Sequence, residues 1–280
     1  MTLWRVAFVI AALLIVAGVS ISIDLQPRAS LLLATTTSAR DSGLLDYLLP
    51  SFLHDTGIGV RYTAVGTGQA LDYGRRGDAD VLLVHAPSAE LAFMAENQGL
   101  CRSPVMFNEF IIVGPPTDPA RIAGMPNATD AFARIRSTAS LFFSRGDNSG
   151  THIMEKTIWS WVGYVPSVQT DPWYRETGQG MSATLTIASE QGGYTLSDDG
   201  TFLVHRSTLD LAIDVGTDPV LRNFYSVIPV NPLLHPSVFA AGALDFARWL
   251  VGPRGQGLIA AYTVGGQQPF HPNGEDRCPP

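Results

Sequence analysis

Leu31-Leu32-Leu33-Ala34-Thr35-Thr36-Thr37-Ser38 is an apolar run that ends in four consecutive hydroxyl side chains. Its first part, residues 31–35, has the length and composition of a buried strand. Beyond it, residues 38–54 place Leu44, Leu45, Leu48, Leu49 and Phe52 on one helical face, so the spacing predicts strand, turn and helix in that order. A strand feeding a helix is the repeating unit of α/β architecture.

The same unit recurs outward from this stretch. Residues 59–65 read as a strand, Gly66-Thr67-Gly68 as a turn and residues 69–74 as a short helix, followed by a strand over 81–85 and a helix over 88–97. The apolar strand over 110–113 is broken by Gly114-Pro115-Pro116, where the chain is expected to cross into a second lobe. That lobe is expected to hold a helix over 129–136, a strand over 141–144, a helix over 149–162, a helical segment over 182–190 and a turn-rich stretch over 192–200. A strand over 224–230, closed by Asn231-Pro232, carries the chain back, and a helix over 236–251 packs there before a Pro/Gly-rich tail. The expected division is residues 30–113 with 222–280 in lobe I and residues 114–221 in lobe II, after a targeting segment at 1–29.

With 280 residues, 46% of them hydrophobic and 15% charged, the chain can bury one or two ordinary cores. A net charge of −7 with no cluster of Lys and Arg excludes a nucleic-acid binder, because phosphate-backbone affinity needs a basic surface. Bulk acidity does not exclude a small anion, which local donors and helix ends can hold. Residues 6–23 carry no charge and read as a membrane-targeting segment, either a cleaved signal peptide or a retained anchor. Arg5 on its N-terminal flank favours export of the remainder, periplasmic or membrane-anchored facing outward. Cys101 and Cys278 are compatible with one disulfide in an oxidising compartment and equally with two unpaired thiols.

The chemistry concentrates in three strand-to-helix turns: Ala34 to Ser38, Val65 to Gly68, and Ser144-Arg145-Gly146-Asp147-Asn148-Ser149-Gly150-Thr151. In open α/β sheets, ligands sit beyond the carboxyl ends of the strands, where helix starts offer unsatisfied N–H groups and a positive dipole end. Hydroxyls can surround a tetrahedral oxyanion without adding charge, and Arg145 can donate a two-pronged contact to neighbouring oxygens. Taken turn by turn, Ser and Thr at a helix start also serve simply as caps. Asp147 has two readings as well. Facing the ligand, it would suit phosphate, which keeps a proton near neutral pH; capping the helix or pairing with Arg145, it would leave the site to fully ionised oxyanions.

The Thr-Thr-Thr-Ser run, the Gly-Thr-Gly-Gln-Ala-Leu turn at 66–71 leading to Gly77-Asp78-Ala79-Asp80-Val81, and the Arg-Gly-Asp-Asn-Ser-Gly-Thr-His block at 145–152 resemble the tungstate-binding proteins of ABC importers, the TupA type. The stretches Tyr194-Thr195-Leu196-Ser197-Asp198 and Val227-Ile228-Pro229-Val230-Asn231-Pro232 are similar in the same order, so the resemblance runs from about residue 31 to 261. It implies a two-lobed type II periplasmic-binding-protein fold with the ligand cleft between the lobes. Carried over residue by residue, it implies ligand contacts from Thr36, Thr37, Ser38, Thr67, Arg145, Ser149 and Thr151. Val65 stands where many relatives have Ser, which leaves the second turn one hydroxyl poorer. The implied partners are a small oxyanion, tungstate foremost, and an ABC permease in the membrane. Phosphate, molybdate or sulfate receptors and a membrane-anchored oxyanion sensor are the alternatives.

No enzymatic role is expected. Gly146-Asp147-Asn148-Ser149-Gly150 departs from a serine-protease nucleophile region at Asn148, and no G-x-S-x-G elbow occurs. His152 lies one residue beyond Thr151 on the expected helix and reads as a packing residue. The remaining histidines and the two cysteines lack the spacing of a metal site, so neither metal nor cofactor is expected, and the protein is expected to be a monomer.

Overall fold

The computed structural model describes residues 29–279, so all but the last residue of the expected targeting segment lies outside the described residues. β1 (Ala29–Thr36) leads into α1 (Thr37–Asp41) and α2 (Leu44–Thr56), β2 (Ile58–Val65) into α3 (Thr67–Arg76), and β3 (Val81–Val84) into α4 (Pro87–Ala95). β4 (Ser103–Gly114) carries the chain away to α5 (Ala128–Ser137), β5 (Phe142–Ser144), α6 (Gly150–Trp161), β6 (Tyr174–Glu176), α7 (Met181–Gln191), β7 (Thr195–Asp198), α8 (Asp199–His205) and β8 (Ala212–Val215). β9 (Arg222–Pro229) returns, and α9 (Ala240–Val251), α10 (Pro253–Ala261) and β10 (His271–Pro272) follow.

The strands order as β10-β4-β9-β3-β1-β2, with β7 and β8 both pairing the far half of β4. β1 runs parallel to β2 and β3, whereas β9 is antiparallel to β3 and to β4. Alternation along the strands feeds two faces. Leu31 and Leu33 pack with Leu45, Phe52, Phe246 and Ile259, while Ala34, Leu82 and Val84 pack with Leu71, Phe93 and Ile228 on the other side. Because both of its faces are covered, β3 is buried throughout and reads as an unbroken apolar run, whereas Leu32 of β1 is exposed.

β4 belongs to both halves of the molecule. Its residues from Ser103 to Glu109 pair with β9, and Phe110 to Val113 pair with β7. There Phe110 and Ile112 join Phe132, Phe142, Trp159 and Tyr194, whereas Ile111 and Val113 join Phe143, Met181, Leu185 and Phe202. The chain therefore passes from one core to the other inside a single strand, opposite the start of β9, where Glu109 pairs with Arg222.

Several elements differ from their sequence expectation, each for a physical reason. The helix expected over residues 38–54 is two helices, because Gly43 adopts φ 75° and the chain turns there, with Tyr262 Oη donating to Ser42 O at 2.6 Å. β4 extends well before residue 110, since its first half pairs with β9 and buries Val105 and Met106 in the first core. β7 lies in the stretch read as a turn. Its Thr195, Ser197 and Asp198 are fully buried polar residues, which hydropathy does not assign to a strand. The tail expected after residue 251 contains α10, opened by Pro253 at its first turn.

Cys101 and Cys278 form a disulfide with Cα atoms 5.0 Å apart, and β10 pairs with β4 at Met106 and Phe107. Together they tie the C-terminal segment to the first core. No helix among the described residues is long and apolar enough to cross a membrane. Cys278→Ser is expected to lower stability by roughly 2–4 kcal/mol, since the bridge closes a long loop in the unfolded chain. Urea unfolding with and without reductant checks this: the unsubstituted protein responds to reductant and the variant does not.

Candidate functional site

The first turn begins where β1 ends. Thr35 Oγ1 donates to Leu83 O at 2.8 Å and is committed to the sheet. Thr36 is the N-cap of α1, its Oγ1 accepting from Ala39 N at 3.3 Å. Thr37 and Ser38 open the helix, with Ser38 fully buried.

The second turn passes through Gly66 to Thr67, the first residue of α3. Thr67 is buried, and its hydroxyl has no hydrogen-bond partner among the described residues. The third turn joins β5 to α6. Gly146 and Asn148 take positive φ angles of 63° and 54°, which lets the chain reverse sharply between Arg145 and Ser149. Asp147 Oδ1 accepts from Ser149 N at 3.1 Å, Ser149 Oγ caps α6 by accepting from His152 N at 3.2 Å, and Asn148 N donates to His152 Nδ1 at 3.0 Å. Thr151, on the first turn of α6, is buried with its hydroxyl unpartnered among the described residues.

The first and third turns meet at Arg145, which is 2% exposed. Its guanidinium donates to Thr37 Oγ1 at 2.9 Å and to Ser38 Oγ at 3.3 Å across the gap between the two cores, and to Asp147 Oδ2 at 2.5 Å within its own turn. The second turn abuts the third so closely that a Cβ on Gly66 would lie 2.9 Å from Asp147 O. All seven residues named from the sequence thus sit on turns the fold brings together. Their hydroxyls differ in use: Thr36 and Ser149 cap helices, Thr37 and Ser38 accept from Arg145, and Thr67 and Thr151 are unpaired among the described residues.

The support beneath the third turn is Glu155 on α6, which is buried. It accepts from Ser144 Oγ at 2.5 Å, Tyr174 Oη at 2.9 Å and Trp159 Nε1 at 3.0 Å. Burial pushes its carboxyl up to about 7 in spite of these donors. Ser144 directly precedes Arg145, so this network fixes where the guanidinium leaves the backbone.

Sequence reasoning missed three contributors. Gly180, the N-cap of α7, lies against Thr37: a Cβ there would stand 3.8 Å from the threonine side chain. It adds a fourth helix start, with no side-chain cap, and only the Gly178-Gln179-Gly180 spacing hints at it. Asp198 is fully buried, caps α8 and accepts from Thr201 N at 2.8 Å and Thr201 Oγ1 at 2.9 Å. Burial raises its carboxyl above the usual range, opposed by the Thr201 bonds and the charge of Arg145. His85, set aside in the sequence as one of several scattered histidines, contacts Thr36. Burial pushes its imidazole down to about 4, with the Asn223 hydrogen bond opposing and the Arg145 charge assisting, so the ring is neutral at pH 7. Among the described residues no group of three or more His, Cys, Asp or Glu is arranged to hold a metal ion.

A model of the PBP superfamily domain matches residues 25–254. The tungstate-binding protein TupA of Peptoclostridium acidaminophilum is 46% identical over 239 residues, covering 85% of this chain and 82% of that protein. The solved structure of the tungstate-binding protein TupA from Desulfovibrio alaskensis G20 matches at 45% identity and a TM-score of 0.76, over 88% of this chain and 100% of that one. The crystal structure of the tungstate ABC transporter from Geobacter sulfurreducens matches at 41% identity and the same TM-score of 0.76, over 83% of this chain and 98% of that one. These likenesses place the fold among the type II periplasmic binding proteins. The chain belongs to the PBP superfamily and, within it, to the family of TupA tungstate-binding proteins.

Gly66 provides a test of the close approach of the turns. Its backbone, φ −68° and ψ 152°, suits any residue, so Gly66→Ala meets no conformational strain, only the contact with Asp147 O. That substitution is expected to cost about 1–3 kcal/mol of stability, as overpacking does. Gly68→Ala, with nothing nearer than Asn148 O at 3.9 Å, serves as the control in parallel thermal melts.

Proposed function

We propose that this protein is the exported receptor of an ABC importer and that it captures tungstate between the two cores. The observation that carries the reading is Arg145, a buried guanidinium whose donors reach hydroxyls 107 and 108 residues away in the chain. A cation so enclosed, ringed by hydroxyls and helix starts, suits a small tetrahedral dianion. On this reading Arg145 and the hydroxyls of Thr37, Ser38, Thr67 and Thr151 are the direct donors, and Thr36 and Ser149 shape the turns as caps.

Asp147 supports a fully ionised ligand over phosphate. One of its oxygens accepts from Ser149 N and the other from Arg145, so it is a cap and an ion-pair partner. A ligand bearing a proton would find donors where it needs an acceptor. Binding proceeds by hinge closure at β4 and β9, which excludes water and strengthens the charge-assisted bonds, and the closed form docks on a membrane permease. The protein acts as a monomer, performs no chemistry on its ligand and needs no cofactor.

Thermal shift with tungstate, molybdate, sulfate and phosphate tests the assignment, since a ligand well above its dissociation constant raises stability by a few kcal/mol. Tungstate is expected to stabilise the protein and phosphate is not; a response to phosphate alone would reverse the ligand assignment. Arg145→Gln is expected to weaken tungstate binding by roughly 1.5–3 kcal/mol, the scale of a charge-assisted hydrogen bond. Unchanged affinity in calorimetry would remove Arg145 from the site.

A further inference from the structure

Behind the first turn runs a buried chain of polar side chains that ends at both strands joining the two cores. Thr36 Oγ1 lies 3.1 Å from His85 Nε2, His85 Nδ1 lies 2.8 Å from Asn223 Oδ1 on β9, and Asn223 Nδ2 donates to Asn108 Oδ1 on β4 at 2.7 Å. All four residues are buried. His85 is held in place from two sides. Its ring stacks on Tyr225 with centroids 4.6 Å apart, and the start of α6 packs so near that a Cβ on Gly150 would stand 2.6 Å from the imidazole.

The direction of proton donation follows from the far end. Asn223 spends its amide on Asn108 Oδ1 and, at 3.4 Å, on Tyr225 Oη, so its carbonyl oxygen faces His85. A carbonyl can only accept, which places the imidazole proton on Nδ1. The ring is neutral and carries one proton, so Nε2 is an acceptor and the Thr36 hydroxyl must donate to it. Thr36 Oγ1 already accepts from Ala39 N. The chain as arranged leaves Asn108 Nδ2 unpartnered among the described residues. Reversing both amides would exchange that group for an unpartnered Asn108 carbonyl and would also strip the Thr36 proton of its acceptor, so the arrangement described leaves fewer polar groups unmet.

We propose that His85 is a positioning residue for oxyanion capture: Nε2 accepts a hydrogen bond from the Thr36 hydroxyl, which fixes Thr36 as the cap of α1 and withdraws it from the ligand's donors. Through Nδ1 and Asn223 the same ring ties that turn to the strands about which the cores close. This role rests on the proposed function, and it narrows the donors expected from the first turn to the hydroxyls of Thr37 and Ser38.

The test needs both a spectroscopic and a binding measurement on the full chain. Nitrogen-15 NMR of histidine-labelled protein is expected to find His85 protonated at Nδ1 with an unprotonated Nε2, a reading that requires no substitution. In calorimetry with tungstate, Thr36→Val and His85→Phe are each expected to weaken binding about tenfold, the scale of one lost buried hydrogen bond. The double variant is expected to be no worse than either alone, because both remove one bond, and Thr36→Ser, which keeps the hydroxyl, is expected to restore affinity. Proton resonances at Nε2, additive losses in the double variant, or full affinity in Thr36→Val would each overturn the assignment. If His85→Phe does not fold, the tautomer and the Thr36 pair still decide. Failure of the unsubstituted protein to bind tungstate, with the Nδ1 tautomer present, would strike at the proposed function and take the positioning role with it.

Discussion

A guanidinium removed from water is the constraint around which this molecule is arranged. Isolated, such a group costs several kcal/mol, and the cost is offset only when its donors meet acceptors of good geometry. Arg145 meets Asp147 in its own turn and two hydroxyls on the opposite core. Each partner then imposes its own requirement. Asp147 can reach back only because Gly146 and Asn148 on either side of it adopt left-handed conformations. Thr37 and Ser38 arrive only because β1 ends in a capped helix start rather than an open loop.

That contact spans two units which the chain links by two crossings. With Arg145 rooted beside β5 and its hydroxyl partners beside β1, the contact is an interface between two separately packed units rather than part of either. β4 joins these units as one continuous strand and β9 starts opposite the point where it leaves the first sheet, so the two crossings lie side by side near Glu109 and Arg222. The neighbouring Asn108 and Asn223 are buried and hydrogen-bonded to one another, which keeps the two strands in register there.

The parts of this fold legible in the sequence are those governed by local periodicity and by turn chemistry. Residues 31–38 announce a strand running into a capped helix, and Arg145 stands out as a cation within a turn of small and hydroxyl residues. What stayed hidden depends on tertiary partners. β7 consists largely of buried polar residues whose burial is possible because β4 supplies their ladder. His85 looks like any other histidine until Thr36, Asn223 and Tyr225 surround it, and these lie 49, 138 and 140 positions away in sequence number (85 − 36, 223 − 85 and 225 − 85). Gly180 follows the same logic, since a glycine before a helix has no significance until Thr37 is found beside it.

Selectivity among oxyanions can be argued from the acceptors rather than the donors. Two carboxylates lie close to Arg145, and either could have served a protonated ligand. Asp147 is occupied by Ser149 N and Arg145, and Asp198 by the backbone and hydroxyl of Thr201. The His85 Nε2 is another nearby acceptor, and it lies against Thr36. On the proposed reading, a phosphate that kept its proton would compete for these engaged oxygens and nitrogen, whereas a fully ionised oxyanion makes no such demand. On that reading the distinction between oxyanions rests on lone pairs the protein already engages.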